Sequence, residues 1–186
     1  MPAVRRAVVD GLFYPAAPSA LRAQVADYVA SVGTNDAARW PKLLITPHAG
    51  YVYCGAIAGH AYALLGHRRA QINRVVLLGP AHRVAVHGLA APEADAFETP
   101  LGEIMLDVAA LASLDALPQV VRDNNAHEHE HSLEVQLPFL QTLLESFTLV
   151  PLVVGNASAE AVAQVLELLW GGEETLIVIS SDLSHY

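Results

Sequence analysis

Histidine is the residue whose placement bears most directly on chemistry in this sequence. Nine of the 186 residues are histidines, and three of them follow short apolar runs that predict buried strands. These runs and their histidines are 43–46 before His48, 75–78 before His82, and 176–180 before His185. Parallel strands end at one edge of a sheet, where open α/β folds bind ligands. Because imidazole is a common metal ligand and proton acceptor, the three side chains are predicted to share a metal or catalytic site.

A further group of candidates lies in the segment 127–134, which reads His-Glu-His-Glu-His-Ser-Leu-Glu. In one interpretation it is a charged loop that leads into a helix. In the other, His131 and Glu134 face the same strand edge as the three histidines, while His127 and His129 remain in solvent. The spacing leaves both interpretations open.

Three further side chains near His48 could contribute to a pocket. Tyr51 and Tyr53 alternate shortly after it and could orient a ligand, although two tyrosines in a turn also commonly pack. We expect Tyr51, Tyr53 and Glu134 to line a substrate pocket. Cys54 has no adjacent base in the sequence, so we expect a buried, unreactive thiol.

Composition narrows the class of protein. The chain is 53% hydrophobic and 16% charged, which disfavours disorder. No apolar run reaches the roughly 18 residues that a membrane-spanning helix needs. A net charge of −9 argues against nucleic-acid binding, which requires a basic surface. A single cysteine excludes an internal disulfide, and we expect a cytoplasmic protein.

The pattern of apolar residues predicts a layered α/β fold. Short, continuous apolar runs predict strands that are buried on both faces, at 43–46, 75–78, 149–154 and 176–180. Helical spacing predicts helices at 21–32, 56–65, 133–144 and 159–170. Because strands and helices alternate, we expect a three-layer sandwich with a mostly parallel or mixed central sheet. No internal repeat or linker indicates a second domain in residues 1–186.

Five motifs, in this order, resemble the successive signatures of the Memo family, whose bacterial members are also labelled component B of the AmmeMemoRadiSam system. They are Asp-Gly-Leu-Phe-Tyr-Pro at 10–15, Pro-His-Ala-Gly-Tyr-Val-Tyr-Cys-Gly at 47–55, Leu-Gly-Pro-Ala-His at 78–82, Glu-His-Ser-Leu-Glu at 130–134, and Ser-Ser-Asp-Leu-Ser-His at 180–185. The resemblance covers essentially the whole chain. It implies a fold similar to the catalytic subunit of class III extradiol dioxygenases, the LigB-like fold.

The resemblance also implies roles for individual residues. His48 and His82 fall where the dioxygenase fold places two metal ligands, and Fe(II), Cu or Zn would suit them. His185 falls at the position of a catalytic acid/base histidine, and His131 matches a further pocket histidine. We expect both to act as catalytic acid/base groups in the pocket. Asp182 belongs to the same motif as His185 and is expected to orient it.

The third metal ligand is where this sequence departs from the family. The dioxygenases use a carboxylate there, and Memo proteins are expected to use a cysteine further along the chain. Family members usually continue past residue 186, so this chain resembles a fold that lacks its C-terminal part. We therefore expect it to bind metal weakly or not at all, because a catalytic metal typically has three protein ligands.

Three functions are compatible with these observations. The first is a cytoplasmic oxidoreductase linked to non-haem iron or copper. The second is a non-enzymatic adaptor that binds a small molecule or a peptide in the same cleft. We also expect that the chain can associate with copies of itself. The third is a metal-dependent hydrolase in which His185 acts as the base.

Overall fold

The structure is a computed structural model that describes residues 3–31 and 40–183. Within these ranges the strands are β1 Val4–Arg5, β2 Leu43–Thr46, β3 Arg74–Pro80, β4 Leu89–Ala91, β5 Ala96–Thr99, β6 Gly102–Met105, β7 Val120–Arg122, β8 Thr148–Val154 and β9 Thr175–Ser180. The helices are α1 Pro18–Ala30, α2 Tyr51–Ala63, α3 Val108–Ser113, α4 Asn125–Glu128, α5 His131–Glu134, α6 Leu137–Leu143 and α7 Ala159–Leu169. Short 3-10 helices occupy Gly66–Gln71 and Leu114–Ala116.

The larger sheet determines which strand ends meet. Its strand order is β2-β9-β3-β8-β4-β7, and every neighbouring pair is parallel except β4 with β8. In register, Ile179 of β9 lies between Ile45 of β2 and Leu78 of β3. Because β2, β9 and β3 are adjacent and parallel, their carboxyl ends lie at the same edge of the sheet.

The central strands of this sheet form the core. In β3, the consecutive side chains Val75, Val76 and Leu77 are all fully buried, and β8 and β9 contain similar buried runs. Successive side chains of a strand point to opposite faces, so both faces of the sheet are covered. The fold is thus α/β with a mixed sheet, which is consistent with the predicted three-layer sandwich. All four predicted strands are confirmed, as β2, β3, β8 and β9.

A second, smaller sheet was not predicted. It has the strand order β1-β5-β6, in which β1 pairs with β5 in parallel and β5 pairs with β6 in an antiparallel hairpin. These strands have two to four residues each. Runs this short carry little periodic signal in a sequence.

The helices differ from the prediction at their boundaries. α2 begins at Tyr51 rather than at residue 56, which places the two neighbouring tyrosines in a helix instead of a turn. The predicted helix 133–144 is divided into α5 and α6, and Pro138 lies in the first turn of α6. Proline is tolerated there because its missing N–H has no partner in a first turn. In the parts of the chain that the structure describes, no helix is both long and apolar enough to cross a membrane.

Candidate metal centre

His48 and His82 meet at the edge of the larger sheet. His48 follows β2 by two residues and His82 follows β3 by two residues, and these strands flank β9. The centroids of their rings are 5.2 Å apart. The prediction that these two imidazoles approach one another is confirmed.

His131 joins them from a different element. It is the first residue of α5, and its ring centroid lies 5.7 Å from that of His48 and 4.6 Å from that of His82. One ring nitrogen of each of the three histidines lies within 4.8 Å of the other two. We expected His131 to act as an acid/base group in the pocket, but the structure makes it a third candidate ligand. A third candidate ligand therefore lies within this chain.

The spacing of the three nitrogens suits a shared ion after a small adjustment. Ligand nitrogens that bind one zinc ion at about 2.0–2.1 Å in tetrahedral geometry lie about 3.4 Å apart. Nitrogens that lie within 4.8 Å of one another need to close by at most about 1.4 Å to reach that geometry, which rotation of the side chains can provide. The donor set of three imidazoles suits Zn, Cu, Fe or Ni.

Ser180 sets the tautomer of His48. The Ser180 hydroxyl donates to the carbonyl of Ser132 at 2.6 Å, so its proton is committed to that bond. The contact of 3.1 Å between Ser180 Oγ and Nδ1 of His48 therefore has the imidazole as the donor. In the neutral ring, Nε2 is then the nitrogen that carries the lone pair, as a metal ligand requires. The side-chain amide of Gln136 donates to the same hydroxyl at 2.9 Å and holds it in place.

Glu130 sets the tautomer of His82 in the same way. Its carboxylate accepts from the backbone N–H of His82 at 2.6 Å and contacts Nδ1 of the same ring at 2.8 Å. It also accepts from the backbone N–H of Ser132 at 2.9 Å, which caps α5. A carboxylate only accepts, so Nδ1 of His82 carries the proton and Nε2 the lone pair. Sequence analysis missed this residue, although a polar residue directly before a helix was the available signal.

Burial favours the neutral form of two of these imidazoles. Burial, with smaller contributions from the nearby rings of His82 and His131, lowers the pKa of His48 to about 4, against the opposing effect of Asp182. Burial, with the charge of His82, also lowers the pKa of His131. For Glu130, burial raises the pKa, but hydrogen bonds from His82 and Ser132 outweigh it and the pKa is lowered overall. Metal binding requires neutral imidazoles, so these directions favour it.

Asp182 contacts His48 in the structure. Its Oδ1 accepts from the backbone N–H of His48 at 2.6 Å, and its Oδ2 lies 3.6 Å from Nε2 of the same ring. We expected Asp182 to orient His185. Because His185 lies outside the described residues, that pairing stays a prediction.

The two candidate pocket tyrosines occupy opposite environments. Tyr51 is buried, and its hydroxyl donates to the carbonyl of Val135 at 2.7 Å, while its ring packs against Phe139. This is a core position, so the structure gives Tyr51 a packing role rather than a place at a pocket mouth. Tyr53 is 82% exposed on α2. It remains available to a ligand, and its role is a prediction.

Glu134 is committed to the core rather than to a pocket. It is fully buried and forms an ion pair with Arg5. Its carboxylate also accepts from the hydroxyl of Tyr14 at 2.5 Å and from the backbone N–H groups of Val8 and Val9 at 3.0–3.1 Å. These donors use both oxygens. The placement in a substrate pocket is therefore corrected to a structural role, because the side chain ties the N-terminal segment to α5.

Cys54 and His127 are both buried. Cys54 is buried, and its thiol donates to the carbonyl of Ala49 at 2.9 Å. Burial, together with the charge of Asp182, raises the pKa of Cys54 to about 11, so the thiol stays protonated. His127, which one of the two interpretations of segment 127–134 placed in solvent, is only 2% exposed. That expectation was wrong, because α4 turns this side chain into the protein.

An α/β fold that brings two strand-end imidazoles and one at a helix start to a single edge of its sheet defines a protein with a candidate transition-metal centre. Comparison with known proteins identifies the family. A family model described as "Memo-like protein" matches residues 5–186. The chain is 35% identical over 191 residues to a "MEMO1 family protein" of Archaeoglobus fulgidus, which covers 98% of this chain and 68% of that protein. It is 37% identical over 188 residues to one of Aquifex aeolicus, with coverage of 98% and 68%. The chain belongs to the Memo-like family.

Proposed function

We propose that this protein binds one transition-metal ion through His48, His82 and His131 and uses it in oxidoreductase-type chemistry. The observation that carries the proposal is that one nitrogen from each of these three rings lies within 4.8 Å of the other two. Three protein ligands leave coordination positions for a substrate or a small oxidant, which is the arrangement of catalytic rather than structural metal sites.

The surrounding residues would orient the ligands. Ser180 and Glu130 accept from the Nδ1 atoms of His48 and His82 and thereby present the Nε2 atoms. Such partners of metal-bound histidines fix the ring and raise its basicity. Phe13 packs on His131 with a centroid separation of 4.9 Å and provides an apolar wall. Asp182, 3.6 Å from Nε2 of His48, would accept a hydrogen bond from a molecule held beside the ion.

A redox-active ion is our preferred occupant. Neutral imidazoles suit Fe(II) and Cu as well as Zn, and the resemblance to the extradiol dioxygenases, which hold non-haem Fe(II), favours iron. When bound, such an ion would exchange electrons with a small oxidant or substrate. The residues of this chain would hold the ion, exclude solvent on the side of buried His48, and accept protons at Asp182.

Reconstitution with Fe(II) under anaerobic conditions tests this proposal. Metal analysis should find one iron per chain, and nitric oxide should produce the iron–nitrosyl EPR signal of a site with open positions. His131→Ala should lose both iron and signal, whereas His87→Ala, which changes an exposed histidine outside the cluster, should retain both. Absence of iron from the wild type, or retention of the signal in His131→Ala, would overturn the proposal.

Metal-dependent hydrolysis is a second candidate. The specific observation in its favour is that all three candidate ligands are imidazoles, the donor set by which zinc lowers the pKa of bound water in carbonic anhydrase. With Zn in place of Fe(II), this alternative expects turnover of an activated ester such as p-nitrophenyl acetate without oxygen. Loss of that turnover in His131→Ala, with no change in His87→Ala, would support it.

A further inference from the structure

The outer face of α2 carries no charged residue. The helix reads Tyr-Val-Tyr-Cys-Gly-Ala-Ile-Ala-Gly-His-Ala-Tyr-Ala, without lysine, arginine, aspartate or glutamate. Its exposed positions recur at helical spacing and form one stripe, which we call the α2 stripe: Val52, Tyr53, Ala56, Ile57 and His60. The three large hydrophobic members of this stripe are 62–82% exposed. A helix that is hydrophobic on all sides is normally buried on all sides.

The other two long helices differ from α2 in this respect. Surface helices typically carry charged and polar residues on the side that faces water. α1 exposes Arg22 and Asp27, and α7 exposes Glu160 and Glu167. The lack of charge on the outer face is therefore particular to α2 among the three long helices.

The inner face of α2 is already packed against the protein. A Cβ atom added to Gly55 would lie 2.3 Å from the ring of Tyr28 in α1, and one added to Gly59 would lie 2.7 Å from the backbone of Tyr28. Tyr51, on the same side of α2, packs on Phe139 of α6. Within the described residues, these contacts cover one side of the helix and leave the α2 stripe facing outward.

Leu12 extends the apolar surface at the start of α2. It is 81% exposed, and the carbonyl of the next residue, Phe13, accepts from the backbone N–H of Tyr51 at 2.8 Å. With roughly 150 Å² on each large side chain, Leu12 and the three large members of the α2 stripe offer about 600 Å². Two copies would together bury about 1,200 Å², which is the lower end of the size range of stable interfaces.

A second copy of this chain is the partner that this surface fits best. The net charge is −9, so most contacts between copies would bring like charges together, whereas the α2 stripe has no charge to repel another copy. The stripe is also self-complementary if two α2 helices pack antiparallel about a two-fold axis between Ala56 and Ile57. Small Ala56 then faces large Ile57 of the second copy, and Tyr53 faces His60 of the second copy.

We propose that the chain forms a symmetric dimer in which the α2 stripes of two copies pack against each other. The aliphatic side chains near the axis provide the apolar contact, and the two pairs of Tyr53 with His60 form its ends. The dimer requires no ion at the candidate metal centre, so it stands or falls separately from the proposed function.

Sedimentation equilibrium of the wild-type chain tests the proposal. Interfaces near the lower end of the size range have dissociation constants on the order of micromolar. The measured mass should therefore rise from one chain to two between about 1 and 100 µM protein. A wild type that stays monomeric over this range, which would leave the α2 stripe to a different partner, would overturn the proposal. Continued growth beyond two chains would also overturn it, because a two-fold interface closes at two copies.

Oppositely charged variants locate the interface. Ile57→Glu and Ile57→Lys each place like charges on either side of the axis, so each should dimerise at least about 100-fold more weakly than the wild type. An equimolar mixture of the two should restore the dimer, because glutamate then faces lysine. Since Ile57 is 62% exposed, both variants should keep the wild-type circular dichroism spectrum.

The matched control for these variants is Leu168→Glu. It introduces the same charge at a side chain of α7 that is 50% exposed, and it should dimerise like the wild type. Dimerisation of Ile57→Glu as tight as that of the wild type would place the interface elsewhere and contradict the proposal. A mixture of Ile57→Glu and Ile57→Lys that remains monomeric would contradict the two-fold packing of α2.

Discussion

The carboxylate of Glu130 contacts Nδ1 of His82 at 2.8 Å and also caps the helix that begins at His131. One side chain thus links two candidate ligands that come from a strand end and a helix start. Because Glu130 is 2% exposed, water does not readily replace these contacts. The geometry of the metal centre should therefore depend on a residue that is not itself a ligand.

Glu130→Gln should weaken metal binding by about 10–100-fold, the usual cost of losing a partner of a metal-bound histidine. The amide has one acceptor oxygen and one donor nitrogen, so it cannot accept from all three donors that the carboxylate binds, which are the backbone N–H and Nδ1–H of His82 and the backbone N–H of Ser132. A competition titration with a metal chelator measures the effect. Glu128→Gln changes an exposed neighbour and should leave the affinity unchanged. Equal affinities of the wild type and Glu130→Gln would contradict the assignment.

Glu134→Gln should destabilise the fold rather than alter a pocket. The substitution leaves Arg5 buried without its ionic partner, and breaking a buried pair in this way costs about 3–5 kcal/mol of unfolding free energy. Urea denaturation monitored by circular dichroism measures this. Glu167→Gln, on the exposed side of α7, should change stability by less than about 0.5 kcal/mol. A stability of Glu134→Gln within that range would argue against the structural role.

The metal-free protein should lose stability on mild acidification. His48 and His127 each have a pKa of about 4 when folded, because of burial, against about 6.5 when unfolded. The unfolded chain therefore binds more protons in this interval. Each histidine contributes stability that is complete above about pH 6.5 and is lost as the pH falls toward 4, at up to about 1.4 kcal/mol per pH unit.

Urea denaturation at several pH values, in the presence of a chelator, checks this dependence. His127→Phe removes one of the two groups, so the slope of unfolding free energy against pH should decrease by up to one proton. The exposed-site control His87→Phe should retain the wild-type slope. If the slope is the same in His127→Phe and the wild type, His127 is not buried in its neutral form.

Cys54 should react slowly with alkylating reagents in the native protein. Its pKa of about 11 lies well above the roughly 8.5 of a free thiol. Near pH 8, the thiolate fraction is therefore lower by a factor on the order of 100. Iodoacetamide labelling followed by mass spectrometry compares the native and urea-unfolded chains. Rates that agree within a few-fold would show that the thiol is neither buried nor protonated as described.

The parts of the fold that could be predicted are those with the strongest apolar signals. β3, β8 and β9 are continuous runs of Val, Leu and Ile because both faces of the sheet are covered, and such runs are visible in a sequence. The convergence of His48 and His82 followed from where their strands end. The small sheet could not be predicted, because its strands have only two to four residues and β1 pairs with a strand about 90 residues away in the sequence.

The details of the site depended on contacts that spacing does not encode. Glu134 seemed suited to a pocket because it lies three residues after His131, yet Arg5 and the backbone of the N-terminal segment bind it in the core. His127 and Glu130 are buried although their neighbours are polar. The elements that pack on a short charged segment decide which of its sides faces inward. For the segment 127–134 these elements are β1 and the carboxyl end of β3.

Metal affinity of the wild type and of single histidine variants tests the central claim most directly. Titration with cobalt(II), followed by visible absorption, should show one ion per wild-type chain. His48→Ala, His82→Ala and His131→Ala should each weaken binding by at least about 100-fold, since losing a ligand costs no less than losing its partner. His87→Ala should bind like the wild type. A wild-type chain that binds no cobalt, or a His131→Ala variant that binds it as tightly as the wild type, would contradict the account.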